Sequence, residues 1–305
     1  MIDLDSLVYP LFITDGKLIR KEVPSMPGIY RISIDVLKRE INEIRKLGIT
    51  SVLLFGVTKK KDKKASAAYA KGNIITSATA FLKSEFPKLK VVTDVCLCAY
   101  TLSGHCGILK ENSREIDHNK TLETLSKMAL SHAEAGADYV APSAMAKKQV
   151  FNIRKTLDAN GYVTTKIMGY SAKFSSQFYG PFRDAANSAP RFGNRRKYQL
   201  DYSDRQRALQ EIDDDIKEGA DIVMVKPALC YLDIIREAKN RFNHALAAYN
   251  VSGEYAMIKS GASSGYWDEK EIVYEVIASI KRAGAKIIIT YHARDIAKWK
   301  KKGQL

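Results

Sequence analysis

Glu218-Gly-Ala-Asp-Ile-Val-Met-Val-Lys-Pro-Ala228 packs a helix end, a glycine, a strand and a lysine at the strand's far end into eleven residues. Gly219 supplies the left-handed residue that closes a helix over Arg205 to Lys217. Ile222 to Val225 is apolar at every position, the pattern of a strand covered on both faces. The junction recurs as Leu47-Gly-Ile-Thr50 before Ser51 to Gly56, and as Ala135-Gly-Ala-Asp138 before Tyr139 to Pro142. It returns once more as Ala283-Gly-Ala-Lys286 before Ile287 to Thr290. Repeated helix–glycine–strand units predict parallel strands joined by right-handed crossovers. Four more strand candidates lie between the copies: Val8 to Ile13, Val91 to Leu97, Lys166 to Tyr170 and Ala247 to Val251. Helical spacing covers Ile34 to Leu47, Leu122 to Ala135, Val150 to Ala159, Arg205 to Lys217, Leu232 to Phe242 and Glu271 to Ala283. Asp204 and Asp268 stand where N-caps are wanted. Eight strands alternating with helices, without a composition break, predict one (β/α)8 barrel over residues 1–305, with residues 1–9 as a short N-terminal arm. An open, doubly wound sheet is the alternative, because periodicity alone does not close a sheet.

The chain has 49 Lys plus Arg against 34 Asp plus Glu, a net charge of +15. Much of the excess sits in Lys59 to Lys64 and Lys298 to Lys302, clusters that read as solvated loop or helix face. They lack interleaved aromatic residues and match no nucleic-acid-binding spacing, so no dedicated nucleic-acid partner is expected. No apolar run is long enough to span a bilayer, and Met1-Ile-Asp-Leu-Asp5 is no signal peptide, so a cytoplasmic protein is expected. Of four cysteines, Cys96, Cys98 and Cys106 lie within eleven residues, which is metal-ligand clustering rather than a disulfide framework. Cys230 reads as a packed core thiol.

A barrel carries its active site at the C-terminal ends of its strands. There the sequence places Asp94 and Cys96, Ser143, Lys173, Lys226, Ser252 and Tyr291 in strand order. An ammonium ending an apolar strand is poorly solvated, which favours the neutral amine that attacks a carbonyl. Snorkelling to water or pairing with a carboxylate is the other reading of Lys226. Lys173 ends the neighbouring strand. Two adjacent lysines fit either a carbonyl substrate held twice or an anion clamp. Cys96-Leu-Cys98 followed by Cys106 offers three thiolates, leaving zinc a fourth position for water or substrate; three reduced, partly buried cysteines are the simpler alternative. From Ser175 to Gln199 the chain has glycines, prolines, aromatics and Arg183, Arg191, Arg195 and Arg196 with no regular period, the composition of a lid that recognises a carboxylate.

Together these residues resemble the porphobilinogen synthase (5-aminolevulinate dehydratase) family along nearly the whole chain. The resemblance is carried by Tyr9-Pro-Leu-Phe12, Pro24-Ser-Met-Pro-Gly28, Leu54-Phe-Gly-Val57, and Asp94-Val-Cys-Leu-Cys98 through Gly104-His-Cys-Gly107. It continues in Tyr170-Ser-Ala-Lys173, Phe178 to Ala186, Met224-Val-Lys-Pro-Ala228 and Val251 to Met257. It implies condensation of two 5-aminolevulinic acid molecules, with Lys226 and Lys173 each forming a Schiff base. It further implies Ser252 and Tyr291 on the first substrate's carboxylate, and Arg183, Arg195 and Gln199 on the second's. Tyr179 and Phe182 would belong to the lid, Tyr249 would pack near the Schiff base, and Asp94 and Ser143 would line the site, Asp94 for amine contact or proton transfer. Cys96, Cys98 and Cys106 look like the ligands of the zinc-dependent branch, and Glu211 is a candidate ligand for an activating magnesium. A homo-oligomer is implied, an octamer where a longer N-terminal arm embraces a neighbour, a hexamer being the alternative given the nine residues before Pro10. The chain departs from the family's pattern at Thr58, at Ala65 in place of glycine, at Ala146-Lys-Lys148 and at His292.

Two other functions compete. A class I aldolase barrel needs one reactive lysine and a phosphate loop, which Gly261-Ala-Ser-Ser-Gly265 could mimic, but it leaves the second lysine and the thiols unexplained. A non-catalytic, basic nucleic-acid-binding relative accounts for the charge yet predicts decay at the site residues, all of which are present.

Overall fold

The structure, a computed structural model, describes residues 2–304. Each apolar run identified above becomes a strand with no exposed position except at its ends, because helices cover it outside and its neighbours' side chains cover it inside. In chain order the strands and helices are β1 (Leu7–Thr14), β2 (Arg20–Val23), β3 (Met26–Ile32), α1 (Ile34–Lys46), β4 (Ser51–Val57), α2 (Ile74–Glu85), β5 (Lys90–Val95), α3 (His118–Glu134), β6 (Tyr139–Pro142) and α4 (Gln149–Ala159). They continue as β7 (Lys166–Lys173), α5 (Gly180–Ala185), α6 (Arg205–Lys217), β8 (Ile222–Lys226), α7 (Leu232–Arg241), β9 (Leu246–Asn250), α8 (Ser252–Ser263), α9 (Glu269–Ala283), β10 (Ile287–Thr290) and α10 (Ala293–Lys301).

Strands β1, β4, β5, β6, β7, β8, β9 and β10 follow one another in parallel, and β1 pairs with β10 through Leu7 with Ile288 and Val8 with Ile289. That pairing closes the (β/α)8 barrel and removes the open-sheet alternative. Gly219 has φ +100°, with Gly48, Gly136 and Gly284 also left-handed, as the junction motif requires. Asp204 and Asp268 cap α6 and α9 by accepting from Arg207 N and Glu271 N.

Several elements differ from the sequence expectations. The hairpin β2–β3 is new; its first strand is the exposed edge Arg20-Lys-Glu22, too polar to read as a strand alone. Helices α2, α8 and α10 also escaped the periodicity. Helix α2 buries Thr79 within a Thr/Ser-rich sequence, and α8 is rich in glycine and serine, so neither shows a clean apolar stripe. Of the nine residues expected to form an arm, Leu7 to Tyr9 lie in β1, preceded by a single 3-10 turn at Leu4–Ser6. Gly261 is no phosphate loop: it lies inside α8, where any Cβ would strike the Trp267 ring, so it is a packing glycine.

Candidate active site

The polar residues expected at the barrel mouth do gather there. Lys173 and Lys226 end adjacent strands and are register partners. Lys226 is buried, with its Nζ 4.1 Å from the centre of the Tyr249 ring, 4.9 Å from Tyr170, and 5.3 Å from both Tyr179 and Phe182. It neither snorkels to water nor joins an ion pair among the described residues. Burial, reinforced by the neighbouring Lys173 charge, lowers its pKa to about 7. Lys173 is also buried, its Nζ donating to the Ser143 carbonyl and standing 5.5 Å from the Tyr170 ring. A buried amine that is half neutral at pH 7 is a nucleophile, whereas an anion clamp needs a charged one.

Asp94 stands one residue before the end of β5 with the Ser143 side chain near enough to favour its ionised form, while its Oδ1 is buried without a partner. Burial raises this carboxyl to about 6, opposed by the Lys173 charge, so it exchanges protons close to neutral pH. Beyond it lie Cys96, Cys98 and Cys106, all buried, their Sγ atoms within 4.8 Å of one another and those of Cys96 and Cys98 3.3 Å apart. A tetrahedral zinc with bonds of about 2.3 Å spaces its sulfurs about 3.8 Å apart, so this donor set fits the ion. Hydrogen bonds from Cys96 and Cys98, then the Arg195 charge, hold the Cys106 thiol well below its ordinary pKa, whereas Cys96 is pushed up. A second metal-sized group, Glu269, His292 and Asp295, already has its cation: Lys259 Nζ pairs with both carboxylates.

The segment 175–199 covers this mouth, and it is more regular than expected. It holds a 3-10 turn at Gln177–Tyr179 and the short helix α5, started by Pro181. Phe182 on α5 packs edge-on against Phe55 at 4.9 Å and reaches Phe12 at 5.8 Å, closing the aromatic box over Lys226. The Tyr179 hydroxyl donates to the Phe174 carbonyl at 2.7 Å, with the Lys226 carbonyl 3.2 Å away. Ser252 holds the cover from below, donating to the Phe178 carbonyl at 3.1 Å and accepting from Phe182 N at 3.0 Å. Tyr249 donates to the Tyr291 hydroxyl at 3.1 Å on the same side.

Across the site, Arg195 donates to the carbonyls of Gly104 and Ser188 through Nη2, but its Nε is buried and unpartnered. The Nε of Arg183 and both amide atoms of Gln199 are likewise buried without partners. These unpartnered buried groups of one segment, three donors and the Gln199 carbonyl oxygen, mark a place for a polar ligand, since each costs about 1–3 kcal/mol while unsatisfied. Arg191 and Arg196, by contrast, are exposed.

Glu211 lies apart, on α6 outside the barrel, paired with Arg207 at 3.5 Å and lining a cleft that also touches Cys106, Lys147 and Tyr198. Cys230 is exposed rather than packed in the core: Tyr231 takes the inner place, stacked on Phe174 at 3.9 Å. Sequence reasoning missed Tyr170, whose ring lies 4.9 Å from the Lys226 amine and 5.5 Å from that of Lys173 and whose buried hydroxyl has no partner. It also assigned no role to His105. The His105 ring accepts from Tyr198 at 3.1 Å and donates to the Phe192 carbonyl at 3.0 Å, tying the cover to the thiol loop.

A family model described as delta-aminolevulinic acid dehydratase matches residues 1–299. The chain belongs to the delta-aminolevulinic acid dehydratase family. A family member from Bacillus subtilis (strain 168) is 50% identical over 292 residues, which is 96% of this chain and 90% of that protein. Another, from Staphylococcus aureus (strain N315), is 46% identical over 295 residues, covering 97% and 91%. Among solved structures, the delta-aminolevulinic acid dehydratase of Toxoplasma gondii ME49, in complex with the reaction product porphobilinogen, superposes with a TM-score of 0.96. It is 41% identical, and the match covers 98% of this chain and 86% of that one. Among the described residues, no helix is long and apolar enough to cross a membrane.

Proposed function

We propose that this member of the family condenses two 5-aminolevulinic acid molecules into porphobilinogen, each held as an imine on its own lysine. The paired, buried Lys173 and Lys226 carry the reading. Neutral Lys226 attacks the ketone of one substrate, and a water leaves as the imine forms. Lys173 does the same to the second substrate. Imine formation acidifies the adjacent carbon, so that one substrate's enamine carbon and the other's amine join the two molecules through one C–C and one C–N bond. Both lysines are released again as amines. Two substrates thus lose two waters in all, and loss of a ring proton gives the pyrrole.

The remaining roles follow the chemistry of the cavity. Asp94, with a carboxyl that titrates near neutral pH, moves protons at the substrate amines, and the Ser143 hydroxyl orients it. Ser252 and Tyr291 take the first carboxylate, which requires the Ser252 hydroxyl to exchange its contact with the cover for the substrate. Arg183, Arg195 and Gln199 take the second, an assignment favoured by their unpartnered Nε and amide atoms. Tyr179, Phe182, Tyr170 and Tyr249 exclude water from the Lys226 imine. Zinc held by Cys96, Cys98 and Cys106 would supply a Lewis acid beside the second substrate. Magnesium at Glu211 would have to displace Arg207, and only the cleft around that carboxylate favours it. The enzyme works as a homo-oligomer, hexamer or octamer, in the cytoplasm, where the three thiols stay reduced.

The test incubates the protein with 5-aminolevulinic acid, zinc and a thiol reductant and follows the pyrrole, beside Lys226→Ala and a chelated sample. Pyrrole from the wild type alone supports both the Schiff base and the metal. Pyrrole that survives chelation removes the metal from the thiols, and none under any metal refutes the reading.

A further inference from the structure

Strand β7 carries one residue more than its partner. Gly169 pairs with Val223 and Lys173 with Lys226, so four steps on β7 match three on β8, and the register shifts between Gly169 and Ala172. In a regular strand Tyr170 and Lys173 would face opposite sides, because side chains alternate. Here both face the barrel interior, where the Tyr170 ring lies 5.5 Å from Lys173 Nζ and 4.9 Å from Lys226 Nζ. The extra residue is absorbed by Ser171 and Ala172, which both turn towards the helices; Ala172 pairs with Val225, next to Lys226 and therefore opposite to it. This is a β-bulge beside a reactive site, a device that re-aims a side chain. Without it Lys173 would point into the helical layer.

A bulge needs a reason to stay where it is, and α6 provides one. Asp215 is buried and reaches β7 at that point, its carboxyl and the Ser171 hydroxyl both lying against Gly169. The Ser171 hydroxyl in turn lies 3.3 Å from the Gly169 carbonyl. Gly169 leaves the room: a Cβ there would stand 2.8 Å from Asp215 Oδ2 and 3.2 Å from Ser171 Oγ. Burial raises the Asp215 carboxyl to about 7, so near neutral pH much of it is protonated, and in that form it is placed to donate towards Ser171 while the Ser171 hydroxyl donates to the Gly169 carbonyl. Asp215 has no place in the reaction described above and touches none of the reacting groups.

We propose that Asp215 is a positioning residue: through Ser171 and Gly169 it pins the bulge in β7 that turns Lys173 into the barrel, level with Lys226. The inference rests on the Schiff-base reading of the two lysines. It predicts that loss of Asp215 affects one lysine and spares the other.

The experiment traps imines in the metal-loaded, assembled enzyme with 5-aminolevulinic acid and cyanoborohydride, then measures by peptide mass the ratio of substrate on Lys173 to substrate on Lys226. A lysine displaced by about 1 Å reacts on the order of a hundredfold more slowly. Asp215→Ala should lower the ratio by about that factor, and Asp215→Asn, which keeps both a donor and an acceptor towards Ser171, should restore it. A merely destabilised protein loses both adducts together and leaves the ratio alone. If Asp215→Ala is insoluble, Ser171→Ala removes the same link and should lower the ratio. An unchanged ratio in the soluble variant overturns the role of Asp215 while leaving the two lysines in place. A wild type that traps substrate on neither lysine overturns the Schiff-base reading itself, and this inference with it.

Discussion

Reductive trapping of a ketone on Lys226 should have its acid limb near pH 7, and replacing Lys173 by methionine should move that limb upward. Burial and then the Lys173 charge lower the Lys226 pKa from 10.5 to about 7. At pH 7 roughly half of this lysine is therefore neutral, against roughly 3 in 10,000 for an exposed lysine, about a thousandfold more attacking amine. Lys173→Met removes only the second of the two causes, so burial still holds the limb below that of a free lysine. The assay uses 4-oxopentanoic acid, which has the ketone and carboxylate but no amine to titrate, with cyanoborohydride between pH 5 and 10 and adducts counted by peptide mass. It is run first on chelator-treated protein, so that no bound cation contributes to the field. A wild-type limb at or above pH 9 would refute the argument that the aromatic box activates Lys226. A limb that falls in Lys173→Met would refute the like-charge part alone.

Three further outcomes are expected. Arg183→Ala removes a half-buried guanidinium that can make a charge-assisted bond worth about 1.5–3 kcal/mol, so kcat/KM should fall roughly 10- to 100-fold in steady-state pyrrole assays, with the melting temperature little changed. Ala65 has φ +52°, a left-handed conformation that costs a residue with a Cβ roughly 1–2 kcal/mol; Ala65→Gly should relieve most of it and raise the unfolding midpoint by about one or two degrees in calorimetry. His132 is buried, neither ring nitrogen has a partner, and burial lowers its pKa to about 3. Below pH 6.5 the unfolded chain binds the proton that the native imidazole refuses, so this contribution is full above 6.5 and is lost as the pH falls towards 3. The loss is about 2 kcal/mol by pH 5, and denaturant titrations of His132→Leu should lack that decline between pH 8 and 5.

The barrel was legible because its strands are buried on both faces, and continuous apolar runs closed off by glycine are hard to mistake. Both lysines and the three thiols were legible for a related reason: polar residues ending such runs stand out. The hairpin β2–β3 was not, since an exposed edge strand carries charged residues and borrows its order from β1. Helix α8 was not, because Gly253 and Gly261 let the Phe178 backbone and the Trp267 ring approach closely, and tertiary contact rather than periodicity shapes it. Tyr170 was hidden by the bulge: counting alternate residues back from Lys173 places it on the wrong face. The lone Glu211 and the exposed Cys230 show the limit from the other side, for an isolated polar residue on a helix or turn does not reveal which way it faces.

The seam between β1 and β10 has a consequence for how the protein is made. Leu7 and Ile288 meet across it although they lie about 280 residues apart in the chain. At about 5–20 residues per second, the first barrel strand leaves the ribosome roughly 15–60 s before its partner is synthesised. Throughout that interval β1 presents an unpaired edge and an apolar face, a template for wrong pairing. Lys173 and Lys226 are already translated by then, but the cavity around them is not yet enclosed. A stalled or truncated chain lacking β10 should therefore accumulate as a chaperone client with no imine chemistry, and the last strand sets the moment at which the enzyme begins to exist.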